Sequence, residues 1–456
     1  MHGKVIVDKR IKNIVQYIFF AITLVLFAIE KSYNIAFCGY AGVILAVFCC
    51  LFAPINVAIA LVFYLCPNTY FVMLDTSAIC GYLAITCVIR LFFITRFKIP
   101  LRAFISVLLL LGYSFLMMVI NENQAFVIAS VKITCLVLVI ALLPASVNKR
   151  EKVSTEIYDL SQSYISGAVT GAIFGILHYL VHGMQLLATG QNSLRFVGLA
   201  NDPNYLSATF CFAISLILIN IFLNKKISKK NILGLFVLSV TGFITLSRAF
   251  IVCFLFIMLY YYFMSGLHRK IKVGYVISIP IIAIVVYILF YEKFNHVFNL
   301  IIFRFTDSQY AGGGGRIEVW QWYMGQFFSS AKKFLFGSIP AAVVFNAGLI
   351  SHIEHNTFIQ MLYELGIVGT FIYISSVTSS CTSYRMIYPM SRIKNYGISF
   401  LPIIAVIGPY FFLSALTGEN FCLAFTFAMA MKICIDGAEN RDDVFQISEK
   451  TIVREE

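Results

Sequence analysis

Charged residues are scarce in this 456-residue chain, since Asp, Glu, Lys and Arg together make up only 12% of it. A water-soluble protein needs many more polar side chains to cover its surface, and roughly 25% charged residues is typical. Hydrophobic residues, by contrast, reach 60%, and the mean hydropathy is +0.88. The composition therefore excludes a soluble globular protein and indicates a chain whose main solvent is lipid.

The sequence also lacks the spacings that hold metals, nucleotides or disulfides. It has 12 cysteines but no Cys-x-x-Cys pair, and nearly all of them fall in apolar runs, as is typical of packing residues. It has no Asp-x-Asp triplet, so a divalent metal is not indicated. The glycine run 312–315 is not followed by the Lys and Ser/Thr of a nucleotide-binding loop. We therefore expect no cofactor and no metal.

Apolar runs of about 17 to 22 residues recur along the chain, which is the length of a membrane-spanning helix. Because backbone polar groups inside a bilayer must be paired within the protein, these runs predict an all-α polytopic membrane protein with about 12 to 14 spans. The predicted spans are 14–30, 35–53, 56–74, 77–94, 103–120, 124–143, 162–182, 204–223, 232–247, 249–264, 274–291, 356–380, 398–416 and 419–436.

The basic residues decide the predicted orientation. The chain has 34 Lys and Arg against 21 Asp and Glu, and basic residues that flank a span resist translocation. Assigning alternate loops to the cytoplasm gathers most of them there, near residues 4–12, 96–102, 149–152, 225–230, 269–272 and 385–394. Both termini are then cytoplasmic. Because the net charge of +13 is scattered over many short loops, no nucleic-acid partner is expected.

The spans divide the chain into two membrane regions and a tail. Residues 1–182 form the N-terminal group of helices. Residues 183–436 form a second group with two extracytoplasmic loops, at about 183–203 and 292–355. Residues 437–456 are predicted to be a cytoplasmic tail.

The longer loop, 292–355, contains one predicted amphipathic helix. Residues 316–328 carry apolar side chains at helical spacing: Ile317, Trp320, Met324, Phe327 and Phe328. This pattern predicts a helix lying on or near the membrane surface. Trp320 is there expected either to anchor the helix at the interface or to stack on a sugar.

Two polar motifs mark predicted outer ends of spans. Arg195 precedes the box Asn201-Asp202-Pro203-Asn204, which opens the eighth span and would also serve as an ordinary helix start. Arg248 lies in the stretch 245–249, between two apolar runs. An arginine in that position is costly unless it reaches water, a phosphate or a carboxylate, so it is a functional candidate as well as a candidate for snorkelling to the interface.

A third motif opens the twelfth span. His355 and Asn356 are followed, after nine residues, by the glycine pair Gly366 and Gly369. The histidine can accept a proton near neutral pH, and the glycines allow close approach of a neighbouring helix. Glu364 lies within the same span. Farther back in the long loop, Arg304 precedes Gly315 by eleven positions, with ten residues between them.

Over about residues 190–380, these motifs resemble those of the O-antigen polymerase and O-antigen ligase superfamily of bacterial envelope enzymes. The resemblance implies a GT-C-like glycosyltransferase in the bacterial inner membrane, acting on glycans linked to undecaprenyl diphosphate. Membrane lipid, a chain-length regulator and a flippase are the further partners it implies. The catalytic residues it implies are Arg195, Arg248, Arg316 and His355. The substrate-binding residues it implies are Asn204, Asn356, Arg304, Trp320 and Glu364.

The chemistry of these residues is compatible with such a transfer. Arginines can neutralise a diphosphate leaving group, and His355 can take the proton of an incoming hydroxyl. Two other functions stay open. A ligase would transfer the glycan to a lipid A core, although nothing in the sequence attests a lipopolysaccharide outer membrane. A transporter or flippase would need broken helices and ionisable residues within the membrane, for which Lys132 and Arg90 come closest.

Overall fold

The computed structural model is helical in nearly all of the part that it describes. That part comprises residues 2–74, 77–96, 98, 100–121, 124–147, 150–182, 196–198, 202–224, 227–265, 316–339, 348, 355–387, 397–413, 415–416 and 418–438. Apart from turns and connections, the exception within it is a small antiparallel hairpin, in which β1 (Met73–Leu74) pairs with β2 (Ser77–Ala78).

The N-terminal half contains seven described helices, most of them joined by short connections. They are α1 (His2–Tyr33), α2 (Ala36–Phe52), α3 (Ile55–Leu65), α4 (Cys80–Ile94), α5 (Leu101–Asn121), α6 (Gln124–Ser146) and α7 (Arg150–His182). Breakers separate them: Asn34 has a positive φ of 55° between α1 and α2, and Pro54 precedes α3. Because the connections are so short, consecutive helices fold back and pack on one another, as α1 does on α2 and α5 on α6.

The third predicted span, 56–74, is wrong at its C-terminal end. Helix α3 stops at Leu65 and continues only as a 3₁₀ turn, Cys66–Asn68. Pro67 lacks the N–H that an α-helix would use there. Asn68 is buried and donates its Nδ2 hydrogen bond to Gly167 O at 3.0 Å, so the chain turns against α7 before entering the hairpin.

The C-terminal half contains nine described helices. They are α8 (Pro203–Asn224), α9 (Lys229–Ile244), α10 (Arg248–Met264), α11 (Arg316–Phe328), α12 (Ala331–Phe336), α13 (Thr357–Ser380), α14 (Thr382–Ile387), α15 (Leu401–Tyr410) and α16 (Glu419–Ala438). Helix α8 is the central one, because nearly every side chain from Pro203 to Ile221 is buried. It packs against α7, α9, α10 and α15.

The prediction of an all-α, multi-pass membrane protein is confirmed at this level. Six described helical stretches are long and apolar enough to cross a membrane: Asn13–Tyr33, Leu101–Ile120, Val127–Ser146, Val153–His178, Pro203–Asn224 and Thr357–Arg385. Five shorter apolar helices of 10–17 residues accompany them. The total of 12 to 14 spans, the GT-C-like arrangement and the membrane orientation stay predictions. The predicted span 274–291 and most of the tail, 437–456, lie outside the described residues.

The cysteines behave as packing residues, as predicted. None of the 12 forms a disulfide, and all except Cys38 are buried. They lie among the large apolar side chains of one continuous core. Cysteine therefore contributes to the fold as a small hydrophobic residue.

Candidate functional site

The start of α8 and the turn between α9 and α10 form one polar junction. Asn204 Oδ1 accepts a hydrogen bond from Ser247 Oγ at 2.8 Å. One helical turn farther on, the hydroxyls of Ser207 and Thr245 lie 3.1 Å apart. Two motifs that the sequence analysis treated separately are thus held together by side-chain hydrogen bonds.

The turn itself fixes the position of Arg248. Leu246 has a positive φ of 52°, which costs a residue other than glycine about 1–2 kcal/mol. The following residue, Ser247, is fully buried and caps α10 by accepting the N–H of Phe250 at 3.3 Å. Arg248 is the first residue of α10 and is half-buried. Its backbone is therefore set by the same junction that holds Asn204.

Arg316, the first residue of α11, is brought to the same place. Burial and the positive charge of Arg248 lower the pKa of Arg316, while the carboxylate of Asp202 acts in the opposite direction. Two neighbouring guanidinium groups repel one another, and the Asp202 carboxylate offsets part of that repulsion. The arrangement therefore favours an anionic ligand that both arginines can bind through charge-assisted hydrogen bonds.

Helix α11 packs on α13 and carries Arg316 with it. The predicted helix over 316–328 is confirmed, but its protein-facing side is Val319, Tyr323 and Phe327. The ring of Tyr323 lies 4.8 Å from that of Tyr363 on α13. The opposite apolar side stays exposed, with Ile317 at 56% and Phe328 at 64%. Trp320 is half-buried at the boundary of the two sides, and its sugar-stacking role stays a prediction.

A kink in α13 provides the docking surface for this segment. Gly366 has φ 65° and ψ −176°, so the helix is interrupted there and carbonyl groups become available. Tyr363 O accepts the N–H of Ser338 at 2.8 Å, and Leu365 O accepts the hydroxyl of Tyr113. A Cβ atom on Gly366 would lie 2.4 Å from Leu335 O, so only glycine permits this approach.

The second glycine of the motif makes the close helix contact that was predicted. A Cβ atom on Gly369 would lie 2.4 Å from Cε1 of Tyr113 on α5. Gly366, in contrast, serves the kink and the docking of residues 335–338 rather than a helix–helix contact. The glycine pair is thus explained by packing alone, independently of any chemistry.

Asn356 caps α13. Its Oδ1 accepts the N–H groups of Phe358 at 3.0 Å and Ile359 at 3.1 Å, and the residue is 4% exposed. His355 precedes it with a positive φ of 45° and is half-buried. A non-glycine residue with this backbone conformation is uncommon and often lies at a functional position. The substrate-binding role of Asn356 and the catalytic role of His355 stay predictions.

The start of α13 is tied to the segment that links α15 to α16. Thr357 Oγ1 donates to Leu413 O and accepts the N–H of Ala415 at 3.2 Å. Gln360 continues this connection, since its Oε1 accepts the N–H of Leu416 at 3.0 Å. Glu364, 5% exposed, accepts a hydrogen bond from Gln360 Nε2 at 3.0 Å and so supports this contact.

A cavity of about 410 Å³ opens beside these motifs. It is lined by Thr69, Tyr70, Met73, Ala78, Ile128, Ala129, Lys132, Tyr205, Tyr410, Ala415, Gly418, Glu419, Asn420 and Phe421. Tyr205 follows Asn204, and Ala415 contacts Thr357, so the motifs at the starts of α8, α10 and α13 lie at one end of the bundle. We call this end of the bundle the motif end.

The cavity contains an ion pair that the sequence analysis missed. Lys132 Nζ lies 3.6 Å from Glu419 Oε1, and both residues are buried. In the sequence, Lys132 indicates only a transporter, and Glu419 is the first residue of the predicted span 419–436. An acidic residue at the start of an apolar run was the available signal, because such residues are rare in membrane helices without a function.

Arg195 and Arg304 lie outside the described residues. Over the part of the chain that the structure describes, no three His, Cys, Asp or Glu side chains come together as a metal site. No protein-family model matches the sequence, and no curated protein is significantly similar to it.

Proposed function

We propose that this protein is a membrane glycosyltransferase that polymerises oligosaccharide repeat units carried on undecaprenyl diphosphate. The transfer takes place at the motif end, on the outer face of the membrane. The observation that carries the proposal is the placement of Arg316, the first residue of α11, close enough to Arg248, the first residue of α10, and to Asp202 for both to act on its charge. Two cations from distant parts of the chain suit a ligand with two or more negative charges, such as a lipid diphosphate.

In the proposed reaction, a sugar hydroxyl of one lipid-linked glycan attacks the anomeric carbon of another. The bond from that carbon to the phosphate oxygen breaks, and undecaprenyl diphosphate leaves with the bonding electron pair. Arg248 and Arg316 stabilise the charge that develops on the diphosphate. His355, at the mouth of α13, accepts the proton of the attacking hydroxyl. The energy for the transfer is stored in the donor.

Lysine substitutions at the two arginines test the role of the guanidinium groups. Lysine keeps the charge but loses the planar fork that binds a phosphate through two parallel hydrogen bonds. Arg248→Lys and Arg316→Lys should therefore insert normally and produce mainly short lipid-linked glycans. Arg102→Lys is the matched control, because Arg102 is an exposed arginine in the first turn of α5. Full-length polymer from both lysine variants, at normal protein level, would refute the proposal.

A transporter or flippase is the second candidate, and two observations favour it. The chain contains a buried ion pair, Lys132–Glu419, and a helix interrupted at Gly366. Both features are typical of transporters. The two functions differ in their products: a transporter moves a lipid-linked glycan across vesicle membranes without lengthening it, whereas a polymerase lengthens it without an ion gradient.

A further inference from the structure

The cavity at the motif end is a built site rather than a packing defect. Its volume of about 410 Å³ lies within the range of small-molecule pockets, roughly 300–1,000 Å³. It combines aromatic rings with a cation, a carboxylate and an amide. Its lining comes from six different parts of the chain, all of which meet at this end of the bundle.

The ion pair in the cavity has a dedicated structural support. Lys132 Nζ donates to Ala78 O at 2.8 Å and lies 4.1 Å from the ring centre of Tyr82. Gly81 leaves the space that the pair needs, since a Cβ atom there would lie 2.5 Å from Lys132 Cβ and 2.9 Å from Glu419 Oε1. A buried ion pair seldom stabilises a fold better than apolar residues of the same volume would. This pair therefore points to a role other than stability.

Glu419 has unused hydrogen-bonding capacity. Among the residues that the structure describes, neither of its carboxylate oxygens makes a hydrogen bond of ordinary geometry, although the residue is only 5% exposed. The backbone N–H groups of Cys80 and Gly81 and the ammonium group of Lys132 lie close enough to act on the carboxylate, and its oxygens can still accept further hydrogen bonds. Asn420, its neighbour in the lining, differs: it accepts from Tyr164 at 2.7 Å and donates to Thr209 at 2.9 Å. A buried carboxylate is stabilised by donors, and the hydroxyl groups of a ligand in the cavity can supply them.

The aromatic part of the lining suits a ligand with apolar faces as well as hydroxyl groups. Tyr70 and Tyr205 lie 4.8 Å apart, and Tyr410 and Phe421 lie 4.6 Å apart, measured between ring centroids. Each pair presents rigid apolar area in a site that also holds a charged hydrogen-bond acceptor. A saccharide has this combination, because its ring carries both C–H faces and hydroxyl donors.

The cavity lies next to the site of the arginines. Tyr205 follows Asn204, whose side chain bonds to Ser247, the neighbour of Arg248. Asp202 lies within electrostatic range of both Tyr70 in the cavity wall and Arg316. A ligand that combines a diphosphate with a sugar can therefore place one part in each of the two neighbouring sites.

We propose that this cavity binds the saccharide part of a lipid-linked substrate. Glu419 accepts hydrogen bonds from sugar hydroxyls, and the tyrosine rings pack on the sugar faces. Lys132 holds the carboxylate in place. The inference rests on the proposed function for the identity of the whole substrate, but saccharide binding by the cavity can be measured separately.

The test uses the full-length protein in lipid nanodiscs and two probes. One probe is the lipid-free repeat-unit oligosaccharide of the host, and the other is farnesyl diphosphate, a short polyprenyl diphosphate. Glu419→Gln removes the charged acceptor, and Ala129→Leu fills the cavity without changing the ion pair. Each should raise the Kd for the oligosaccharide about tenfold or more and leave the Kd for farnesyl diphosphate unchanged. Arg316→Lys should raise the Kd for farnesyl diphosphate and leave the Kd for the oligosaccharide unchanged.

Ala41→Leu serves as the matched control, because Ala41 is a half-buried residue of α2 that does not line the cavity. If Glu419→Gln does not fold, Ala129→Leu decides the question alone. Unchanged oligosaccharide binding in Ala129→Leu, together with arginine-dependent binding of farnesyl diphosphate, would overturn the cavity assignment but not the proposed function. If the unsubstituted protein bound neither the oligosaccharide nor farnesyl diphosphate, both the cavity assignment and the proposed function would be overturned.

Discussion

Replacing Gly366 by alanine should detach the segment 316–339 from α13. Gly366 has φ 65° and ψ −176°, a conformation that is essentially restricted to glycine. A Cβ atom there would also lie 2.4 Å from Leu335 O and 2.5 Å from Gly337 N, and backbone atoms cannot move aside as a side chain can. Either α13 straightens or the segment moves away, and both outcomes break the contact.

The magnitude follows from two contributions. The forbidden backbone conformation costs about 1–3 kcal/mol. Loss of the hydrogen bond from Ser338 N–H to Tyr363 O adds about 0.5–1.5 kcal/mol. A combined cost of about 1.5–4.5 kcal/mol raises the population of the undocked state roughly 12- to 1,600-fold, since each 1.4 kcal/mol is a factor of ten.

Amide hydrogen exchange in nanodiscs measures this directly, because exchange of a docked segment follows the population of its open state. Peptides from α11 and α12 should lose protection in Gly366→Ala, while α8 keeps it. Gly325→Ala is the control: Gly325 lies in α11, and a Cβ atom there would have no other atom within 4 Å. If Gly366→Ala and Gly325→Ala gave the same exchange in α11, the kink would not be what holds this segment.

Three further substitutions separate structural from chemical roles. Asn356→Ala should lower the Tm, because loss of the cap costs about 0.5–2 kcal/mol, whereas Asn356→Asp should keep the Tm unchanged. An alanine variant that melts like the unsubstituted protein would contradict the capping role. His355→Gly should keep the Tm, because glycine accepts the φ of 45°, but it should reduce polymer formation about a hundredfold to ten-thousandfold. Undiminished polymer length in this variant would exclude a catalytic histidine. Gly81→Ala should lower the Tm, at a cost of about 1–3 kcal/mol, because its Cβ would press on Lys132 Cβ at 2.5 Å and on Glu419 Oε1 at 2.9 Å and so disturb the ion pair. Gly112→Ala, which has no atom within 4 Å of the new Cβ, should leave the Tm unchanged, and equal melting of the two variants would show that the pair can adjust.

The helical membrane fold could be predicted because it depends on a property that the sequence displays directly. Long apolar runs must form helices in lipid, and the predicted span 204–223 agrees within one residue at each end with α8. Local exceptions could not be predicted in the same way. The apolar run that continues α3 past Pro67 reads as a span, yet the contact of Asn68 with α7 turns it into a hairpin.

The candidate site could be predicted only in part. The sequence singles out Arg248 and His355 one by one as candidates, because each is a polar residue at the edge of an apolar run, and Arg316 is a candidate only through the family resemblance. It gave no means to know that Arg248 and Arg316 interact, since that depends on how α11 packs on α13. Glu419 was missed for the same reason: its partner, Lys132, lies on a helix far away in sequence, and only tertiary packing brings them together.

Reconstitution tests the central claim most directly. The purified full-length protein in lipid vesicles would be given undecaprenyl-diphosphate-linked repeat units as the sole substrate, with EDTA and without nucleotide, and the products separated by length. We expect a ladder of longer glycans and release of undecaprenyl diphosphate from the unsubstituted protein. Arg248→Lys and Arg316→Lys should yield almost none, while Arg102→Lys should match the unsubstituted protein. If the unsubstituted protein bound the substrate but formed no glycan longer than one repeat unit, the claim that it is a polymerase would be contradicted.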